Sequence, residues 1–477
     1  MDASSISHPA ATVSVTTTSA PDTMSETIGL YRWKICVLLF FATTINYIDR
    51  QAVALLKPVL QNPVSGIGLT EVNYGYIVTA FSLAYALGLR VAGGFIDRVG
   101  TKIGYAVAVA IWGLAAASHS LVSFPGVVAM LNGAIHFLSG ALSWKGLVAV
   151  PGAVAGFALA RFGLGLGTSG DFPACIKTVA EWFPQKERAL STGIFNSGAN
   201  VAALIAPLAV PWIAIHLGWR WGFLFSGLFS ATWLVFWWKI YPHPRGHPRV
   251  SPAELRYINS DPSESATESA TKISWVHLFS KRQAWAISVG KILTDPVWWF
   301  YLYWLPGFLN QRYGLPIGRI GLPLVVIYNM SAVGSIYGGW LPRKFLSRGW
   351  SANRARKTAM LIYATALVPV VFVGRMQVVW SVVALLSLAT APHQAWSANM
   401  FTLASDMFPQ RAVASVVGLG ASGAALLMAF ISTVVGYVLK WTNGNYAPLF
   451  VACGTGYLAA LLIIHLLAPN LKRAELH

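Results

Sequence analysis

Hydrophobic residues occur along this chain in twelve long runs, which short polar stretches separate. A helix needs about 20 residues to cross the hydrocarbon core of a bilayer, and most of the runs approach or exceed that length. Their approximate bounds are 33–57, 71–96, 103–121, 151–175, 190–215, 219–240, 284–309, 318–342, 357–374, 376–401, 411–439 and 446–468. The pattern predicts an all-α membrane protein with twelve transmembrane helices.

The composition agrees with this prediction. Hydrophobic residues make up 56% of the 477 residues and charged residues only 10%, whereas soluble domains are about 25% charged. The 43 glycines suit the close packing of membrane helices. The three cysteines, Cys36, Cys175 and Cys453, lie in separate apolar runs. We therefore expect neither a disulfide nor a metal site.

The formal net charge of +18 has a simple explanation in a membrane protein. Basic residues concentrate in alternate loops, and the positive-inside rule places such loops in the cytoplasm. The basic set is Arg98, Lys102, Lys186, Arg188, Lys239, Arg245, Arg249, Arg256, Lys272, Lys281, Arg282, Arg343, Lys344, Arg348, Arg354, Arg356, Lys357 and Arg411. The opposite set carries only Lys57, Lys145, Arg220, Arg312, Arg319, Arg375 and Lys440. We expect a bacterial-type inner-membrane protein with both termini in the cytoplasm and with the lipid bilayer, not a nucleic acid, as its surroundings.

The two halves of the chain share a landmark. The tripeptide Phe-Pro-Gln occurs at 183–185, before the fifth run, and again at 408–410, before the eleventh. Both copies follow the fourth run of their half and lie on the basic side. This is the arrangement of two parallel six-helix repeats with a site between them. The predicted halves are 29–240 and 284–468, joined by a cytoplasmic linker at 241–283.

Three further segments lie outside this repeat pattern. Residues 1–28, rich in Ser, Thr and Ala, and residues 469–477 are predicted to be cytoplasmic tails, the first of them disordered. Residues 122–150 lie between the third and fourth runs and are apolar but interrupted by Gly and Pro. We expect there either an interfacial or re-entrant helix on the external side or a plain spacer.

The first hydrophobic run contains a polar stretch at 43–51. A charged side chain at membrane depth costs about 2.5–3.5 kcal/mol on insertion scales, and this stretch holds Asp49 and Arg50 side by side. Helical spacing places Asn46, Asp49 and Arg50 on one face. Two interpretations are open. The charges could form a self-neutralising pair that joins helices, or they could form a substrate or proton site inside the bundle.

Other polar positions offer less. Lys291 and Asp295 are four residues apart in the seventh run, where an internal ion pair is expected, either as a gate or as a structural pair. His243 and His247 lie between prolines in the linker and are expected to be loop residues, not metal ligands. The chain shows no Ser/His/Asp set, no His-Glu-x-x-His and no phosphate loop. No catalytic residues are therefore predicted, and we expect that the protein is not an enzyme.

The loop at 93–102 reads Gly-Gly-Phe-Ile-Asp-Arg-Val-Gly-Thr-Lys. It resembles the signature loop of the major facilitator superfamily, Gly-x-x-x-Asp-Arg-x-Gly-x-Lys/Arg. The resemblance implies the major facilitator fold. It also implies that Asp97 and Arg98 help to latch a cytoplasmic gate.

Further stretches resemble the anion:cation symporter family within that superfamily, and its hexuronate transporters most closely. They cover both halves of the chain and lie at 46–51, 160–165, 172–174, 181–188, 194–200, 295–300, 393–399 and 406–409. The resemblance implies proton-coupled uptake of a sugar acid, with protons as the coupling ion and no cofactor.

The resemblance also implies roles for individual residues. Arg50 would hold the substrate carboxylate, because a guanidinium can bind a carboxylate through two hydrogen bonds and stays protonated. Asp49 would carry the coupling proton. The other residues implied in substrate binding are Tyr47, Tyr85, Asn196, Asn200, Trp299, His393, Gln394, Trp396 and Asn399. For the polar members of this set, hydrogen bonds between helices are the alternative.

The chain departs from the family pattern at several positions. Thr168 stands where the family has a glutamate implicated in proton coupling, one heptad after Arg161. Asp171 lies one turn further on and is a candidate substitute, so Arg161 and Asp171 join Asp49 as coupling candidates. Arg90 lies where the family is apolar, and Gly307 replaces a frequent lysine.

The sequence thus favours a monomeric, proton-coupled transporter of a sugar acid such as glucuronate or galacturonate. Two alternatives are open. One is an uncoupled or differently coupled transporter of the same family, for an aldonate or a small carboxylate, because Thr168 cannot titrate. The other is a membrane receptor or sensor built on a transporter scaffold.

Overall fold

A computed structural model of the chain describes residues 29–141, 150–241, 248–260, 278 and 280–474. These residues are helical apart from short connections, and no strand occurs among them. The helices are α1 (Tyr31–Gln61), α2 (Glu71–Val99), α3 (Thr101–Ser118), α4 (Pro125–Ala141), α5 (Gly152–Ser169), α6 (Asp171–Trp182), α7 (Gln185–His216), α8 (Trp219–Ile240), α9 (Pro252–Ile258), α10 (Arg282–Tyr313), α11 (Ile317–Leu346), α12 (Ala352–Leu367), α13 (Val379–Met407), α14 (Gln410–Trp441) and α15 (Ala447–Leu467). A 3-10 helix, Val368–Arg375, extends α12.

Twelve helical segments correspond to the twelve predicted spans. Within the described ranges, eight of them are long and apolar enough to cross a membrane by composition: α2, α3, α7, α8, α11, α12 with its extension, α14 and α15. The other four are α1, α5 continued by α6, α10 and α13. They carry Arg50, Arg161, Lys291 and His393, respectively, within their apolar runs. Most of the substrate residues assigned from the sequence lie on these four less hydrophobic helices, and the exceptions are Tyr85 on α2 and Asn196 and Asn200 on α7.

The two Phe-Pro-Gln tripeptides have the same backbone conformation. Phe183 ends α6 in an extended conformation (φ −129°, ψ 133°), and Phe408 ends α13 in a similar one (φ −127°, ψ 148°). Pro184 and Pro409 then cap α7 and α14, each with φ −64°. Proline is compatible with this position because its ring holds φ near that value. The repeated tripeptide thus has the same local structure in both places, after the fourth span of each predicted half.

The loops rich in Lys and Arg lie at one end of the helices, which we call the basic face. The loops at 62–70, 314–316 and 442–446 lie at the other end, the opposite face. The halves touch at the opposite face along α2 and α14. A Cβ added at Gly75 would lie 2.6 Å from the carbonyl oxygen of Ser432. Glycine at this position therefore allows the two backbones to approach closely.

Toward the basic face, α2 and α14 diverge. A Cβ added at Gly94 on α2, or at Gly418 on α14, would have no neighbour within 4 Å. Another contact between the halves, between α7 and α11, also lies near the opposite face, where Gly321 leaves room for the carbonyl group of Pro207. The structure is therefore closed at the opposite face and open at the basic face.

The segment expected at 122–150 contains a helix, α4, as far as residue 141, and residues 142–149 lie outside the described part. At 17 residues, α4 is shorter than a membrane span. Most of its side chains are exposed, and only Ile135 and Ser139 are buried. It packs on α5, where the Asn132 Oδ1 accepts a hydrogen bond from the Gly152 N–H at 2.8 Å.

The linker includes the short helix α9, which docks on the first half. Arg32 of α1 is only 4% exposed and forms an ion pair with Glu187 of α7 at 2.8 Å. Its backbone N–H also donates to Glu254 of α9 at 3.0 Å. The tail at 1–28, both linker histidines and residues 261–277 lie outside the described residues, so the predictions made for them remain predictions.

Candidate substrate site

Arg50 lies half-way along α1 inside a cage of aromatic rings. Its guanidinium carbon is 4.5 Å from the ring centre of Tyr85, 5.0 Å from that of Tyr47 and 5.7 Å from that of Phe81. Its Nε donates to the Asn46 Oδ1 at 2.8 Å, one helical turn earlier. A cation over aromatic faces is stabilised without being neutralised. Arg50 therefore keeps a full charge available to an anion.

A cavity of about 80 Å³ adjoins this arginine between α1 and α10. Its lining residues are Tyr47, Arg50, Gln51, Trp298, Trp299, Leu302 and Tyr303. The Trp299 ring lies 5.8 Å from that of Tyr85, so the aromatic cage joins the two halves. One guanidinium, one amide, two phenols and two indoles are the groups that bind a carboxylate, hydroxyl groups and the apolar face of a sugar. The cavity is smaller than the roughly 300 Å³ of the smallest usual ligand sites, so a sugar acid fits only after the two halves move apart at this level.

Asp49 points away from Arg50. Asp49 is only 2% exposed, and neither of its carboxylate oxygens has a hydrogen-bond partner among the described residues. Arg161 of α5 lies nearby but donates to backbone carbonyls instead, to that of Asp49 at 3.2 Å and that of Arg50 at 3.0 Å. The structure thus does not pair Asp49 with Arg50. It leaves an unpartnered carboxylate in the middle of the bundle, where an ionised group is costly.

Asp171 begins α6, directly after the break at Gly170 that separates α5 from α6. Its Oδ1 accepts a hydrogen bond from the Tyr105 hydroxyl at 2.6 Å. Thr168 makes a local hydrogen bond to the Gly165 carbonyl at 3.2 Å. Asp171 is therefore a buried, hydrogen-bonded carboxylate in the N-terminal half, close in sequence to the position of the missing glutamate but held by α3.

Lys291 and Asp295 form an ion pair in α10, with 2.8 Å between Nζ and Oδ2. The Lys291 ammonium also lies 4.9 Å from the ring centre of Phe401. Asp97 at the basic end of α2 pairs with Lys177 of α6 at 2.9 Å, and Arg98 next to it is exposed. The Asp97 contact stays within the first half, so in this open conformation it does not join the halves.

The candidates on α13 have different surroundings. His393 stacks on Trp298 with the ring centres 5.3 Å apart, and its Nδ1 is hydrogen-bonded to the Tyr457 hydroxyl. It therefore contacts the cavity through Trp298. Trp396 is fully buried, and Asn399 donates to the Gly338 carbonyl at 2.8 Å, which ties α13 to α11. The last two residues act in packing between helices in this conformation.

Three further candidates do not line the cavity. Gln394 is half-buried on α13, and Asn196 and Asn200 are exposed on α7, one turn apart. Of the substrate residues implied by the sequence, the structure brings together Tyr47, Arg50, Tyr85 and Trp299.

The structure adds residues that the sequence did not single out. Gln51, Trp298 and Tyr303 line the cavity. Trp298 lies beside Trp299 in one of the resembling stretches, so the sequence contained a signal for it. The sequence places Lys57 in the external set, at the end of the first span, and gives no sign that it is buried. It lies within α1, about one turn before the helix ends, and is completely buried. Its ammonium pairs with Glu71 at 2.8 Å.

Known membrane transporters resemble this chain over most of its length. The family model described as Major Facilitator Superfamily matches residues 39–433. The chain belongs to the major facilitator superfamily. It is 30% identical over 447 residues to the hexuronate transporter of Escherichia coli K12, and this alignment covers 93% of this chain and 95% of that protein. It is 28% identical over 315 residues to the galacturonate transporter of Dickeya chrysanthemi, covering 66% of this chain and 82% of that protein.

Solved structures of the superfamily have the same fold. The D-xylose–proton symporter superposes with a TM-score of 0.66 at 15% identity, covering 91% of this chain and 97% of that one. A bacterial homologue of the human lysosomal transporter Spinster, in an inward-facing and unoccupied conformation, gives 0.65 at 16% identity, covering 92% and 96%. These relatives are membrane transporters and not enzymes, and the protein is a multi-pass membrane transporter of that superfamily.

Proposed function

We propose that this transporter imports a hexuronate-like sugar acid together with protons across a bacterial inner membrane, by alternating access. The observation that carries the proposal is the aromatic cage of Arg50 beside the cavity between α1 and α10. The names of the relatives, a hexuronate and a galacturonate transporter, support the substrate class. Glucuronate and galacturonate are the substrates to test first.

Substrate recognition follows from the residues of the cavity. The carboxylate of the sugar acid binds the Arg50 guanidinium, since the pair is charge-assisted and two N–H groups can donate in parallel. Hydroxyl groups bind Gln51, Tyr47 and Tyr303. The indole of Trp299 covers the apolar face of the ring. No metal or other cofactor is required in this scheme.

The proposed orientation places the basic face in the cytoplasm, with both termini on that side. The structure then represents the inward-facing conformation, because the halves separate at Gly94 and Gly418 and remain in contact at Gly75. Import requires the reverse movement, in which the basic face closes and the seam between α2 and α14 opens.

Coupling is assigned to Asp49, with Asp171 as a second proton site. An unpartnered buried carboxylate is stable when protonated and unstable when charged, so its occupancy by a proton can depend on the conformation around it. Arg161 lies against the Asp49 backbone and transmits movement of α5 to this part of α1. In this proposal, loss of the proton to the cytoplasm resets the carrier.

Uptake of a panel of sugar acids at two pH values tests the proposal, with Arg50→Ala as the decisive variant. We expect Arg50→Ala to abolish uptake of every acid. Arg50→Lys keeps the charge but lacks the planar donor pair, so it should retain weak uptake. Arg319→Ala is the matched control, because this arginine is exposed on α11 and does not line the cavity. Full transport by Arg50→Ala would contradict the assignment.

An uncoupled transporter is the second candidate, and Thr168 favours it, since this hydroxyl bonds a carbonyl and cannot exchange a proton in the working range. Proteoliposomes loaded with a pH indicator separate the two. Movement of protons with the sugar acid supports symport. Sugar acid flux without any pH change supports the uncoupled transporter.

A further inference from the structure

A second cavity opens at the opposite face, away from Arg50. It has a volume of about 640 Å³, within the range of small-molecule sites. It lies between the end of α10, the start of α2, the 3-10 helix and the loop at 442–446. Its lining residues are Glu71, Phe308, Gln311, Arg312, Gly374, Asn443, Gly444, Asn445 and Tyr446. We call it the outer recess.

The loop of the outer recess presents amides through an unusual turn. Asn443 has φ +50° and Gly444 has φ +81°, so two consecutive residues adopt the left-handed conformation. A non-glycine residue rarely does so, and asparagine is among those that tolerate it best. The Asn445 Oδ1 accepts a hydrogen bond from the Ala447 N–H at 2.9 Å, which holds the loop against the start of α15. The turn therefore places two asparagines at the edge of the same recess.

The charges of the recess suit a monoanion. The Glu71 carboxylate is satisfied by the Lys57 ammonium at 2.8 Å and by the Gln61 amide at 2.7 Å. With this pair neutral, Arg312 is the remaining charge of the lining residues. One guanidinium, three side-chain amides and a phenol are the donors and acceptors that a carboxylate with several hydroxyl groups requires.

The recess is also connected to the closure of the opposite face. The Gln311 amide, on the second half, donates to Glu71, on the first half, at 2.5 Å. A hydroxyl group of a ligand that takes this amide would remove a contact between the halves. Binding in the outer recess would thus favour opening, since a ligand shifts a conformational equilibrium by its difference in affinity for the two states.

We propose that the outer recess is a second recognition site, which binds a polyhydroxylated monocarboxylate at Arg312, Gln311 and the two asparagines before the opposite face opens. The inference rests on the proposed function for the side of entry and for the substrate class. It goes beyond that function by assigning selection to a site outside the central cavity.

Transport measured from each side tests this site. Intact cells present the opposite face to labelled glucuronate, and inverted membrane vesicles present the basic face. We expect Arg312→Gln to raise the KM from the opposite face about tenfold, as loss of a charged hydrogen-bonding partner does, and to leave the KM from the basic face unchanged. Arg319→Gln is the matched control, because Arg319 is exposed near the same face and does not line the recess. An equal change from both sides, or no change, would overturn the proposal.

Calorimetric titration of glucuronate into purified Arg50→Ala protein gives a second readout. The outer recess is intact in this variant, so we expect one weak site that Arg312→Gln removes in the double variant. Absence of binding to Arg50→Ala would overturn the outer site. Normal transport by Arg50→Ala would instead overturn the central assignment, so the two failures are distinguishable.

Discussion

Lys57 offers a sharp test of how the opposite face stays closed. Its ammonium is completely buried between the halves, 3.4 Å from the Tyr446 hydroxyl and 4.5 Å from the ring centre of Trp304, both on the second half. Its ion pair with Glu71 stays within the first half. Of the contacts that Lys57 makes, those with Tyr446 and Trp304 are therefore lost when the face opens, and through them Lys57 biases the equilibrium between conformations.

The magnitude follows from these two contacts. A desolvated cation–π contact is worth about 2 kcal/mol, and a hydrogen bond to a charged group is worth about 1.5 kcal/mol or more. The hydrogen bond to Tyr446 is long at 3.4 Å, so its share is reduced and about 2–3 kcal/mol in total is a reasonable value. Each 1.4 kcal/mol is about tenfold. Lys57→Met should therefore shift the equilibrium toward the conformation open at the opposite face by about 30- to 140-fold.

A cysteine in the seam reports this shift. Thr433 of α14 contacts Thr79 of α2, with 2.8 Å between the hydroxyl oxygens. Thr433→Cys should react with a membrane-impermeant maleimide only when the opposite face opens. Cys36, Cys175 and Cys453 are buried and give a low background. When Lys57→Met is added, the labelling rate should rise by the same factor as the conformational equilibrium shifts. A rate within twofold of the starting value would refute the reasoning.

Gly307 provides the matched rescue. A Cβ at this position would lie 2.8 Å from the Lys57 Nζ, so Lys57 occupies the space beside α10 where the family resemblance implies a lysine. The double variant Lys57→Ala with Gly307→Lys returns one ammonium to this space from the other helix and should restore slow labelling. Gly307→Lys alone places two ammonium groups together and should label quickly.

Three further predictions concern coupling and the opposite movement. In proteoliposomes, the Asp49→Asn variant should still exchange labelled for unlabelled sugar acid. It should no longer accumulate the sugar acid in response to a pH gradient. Retained accumulation would exclude Asp49 as the proton carrier. In the Arg161→Lys variant, the lysine cannot reach both backbone carbonyls that Arg161 binds on α1. The KM for the substrate should therefore rise about tenfold. An unchanged KM would contradict the positioning role of Arg161. Gly418→Leu, in open space here, should leave thermal stability unchanged and slow turnover, because the added side chain obstructs closure of the basic face; normal turnover would show that α14 does not approach α2 there.

The sequence predicted the helices well, because the bilayer and not the tertiary contacts requires each span to contain about 20 mainly apolar residues. It also identified Arg50, since a charge inside an apolar run is its own signal. It could not show that Asp49 and Arg50 point apart, because adjacent residues on a helix differ by about 100° and neighbouring helices decide which direction is buried. The role of polar residues such as Asn399 was ambiguous for a related reason. The same side chain can form a hydrogen bond between helices or a contact with the substrate, and the sequence does not distinguish the two.

Lys57 shows a different limit. Its partners Trp304 and Tyr446 are about 250 and 390 residues away in sequence and belong to the other half. A lysine near the end of a hydrophobic run normally places its charge in the headgroup region. Here Glu71 at the start of α2 supplies a counter-charge, and Gly307 on α10 supplies the space. Each of the three residues is unremarkable alone, and only packing of the halves combines them.

The four less hydrophobic helices connect these observations. Polar groups in a membrane helix make its insertion less favourable, so they persist where they line a cavity or pair inside the bundle. In this protein α1, α5 with α6, α10 and α13 carry most of them, and α1 and α10 line the cavity beside Arg50. Of the eight more apolar helices, α2 contributes Phe81 and Tyr85 to the aromatic cage and also forms the seam with α14. Low hydropathy in a predicted span therefore identifies helices that carry buried polar groups, whereas aromatic residues around a cavity leave no such signal, because they are themselves compatible with an apolar helix.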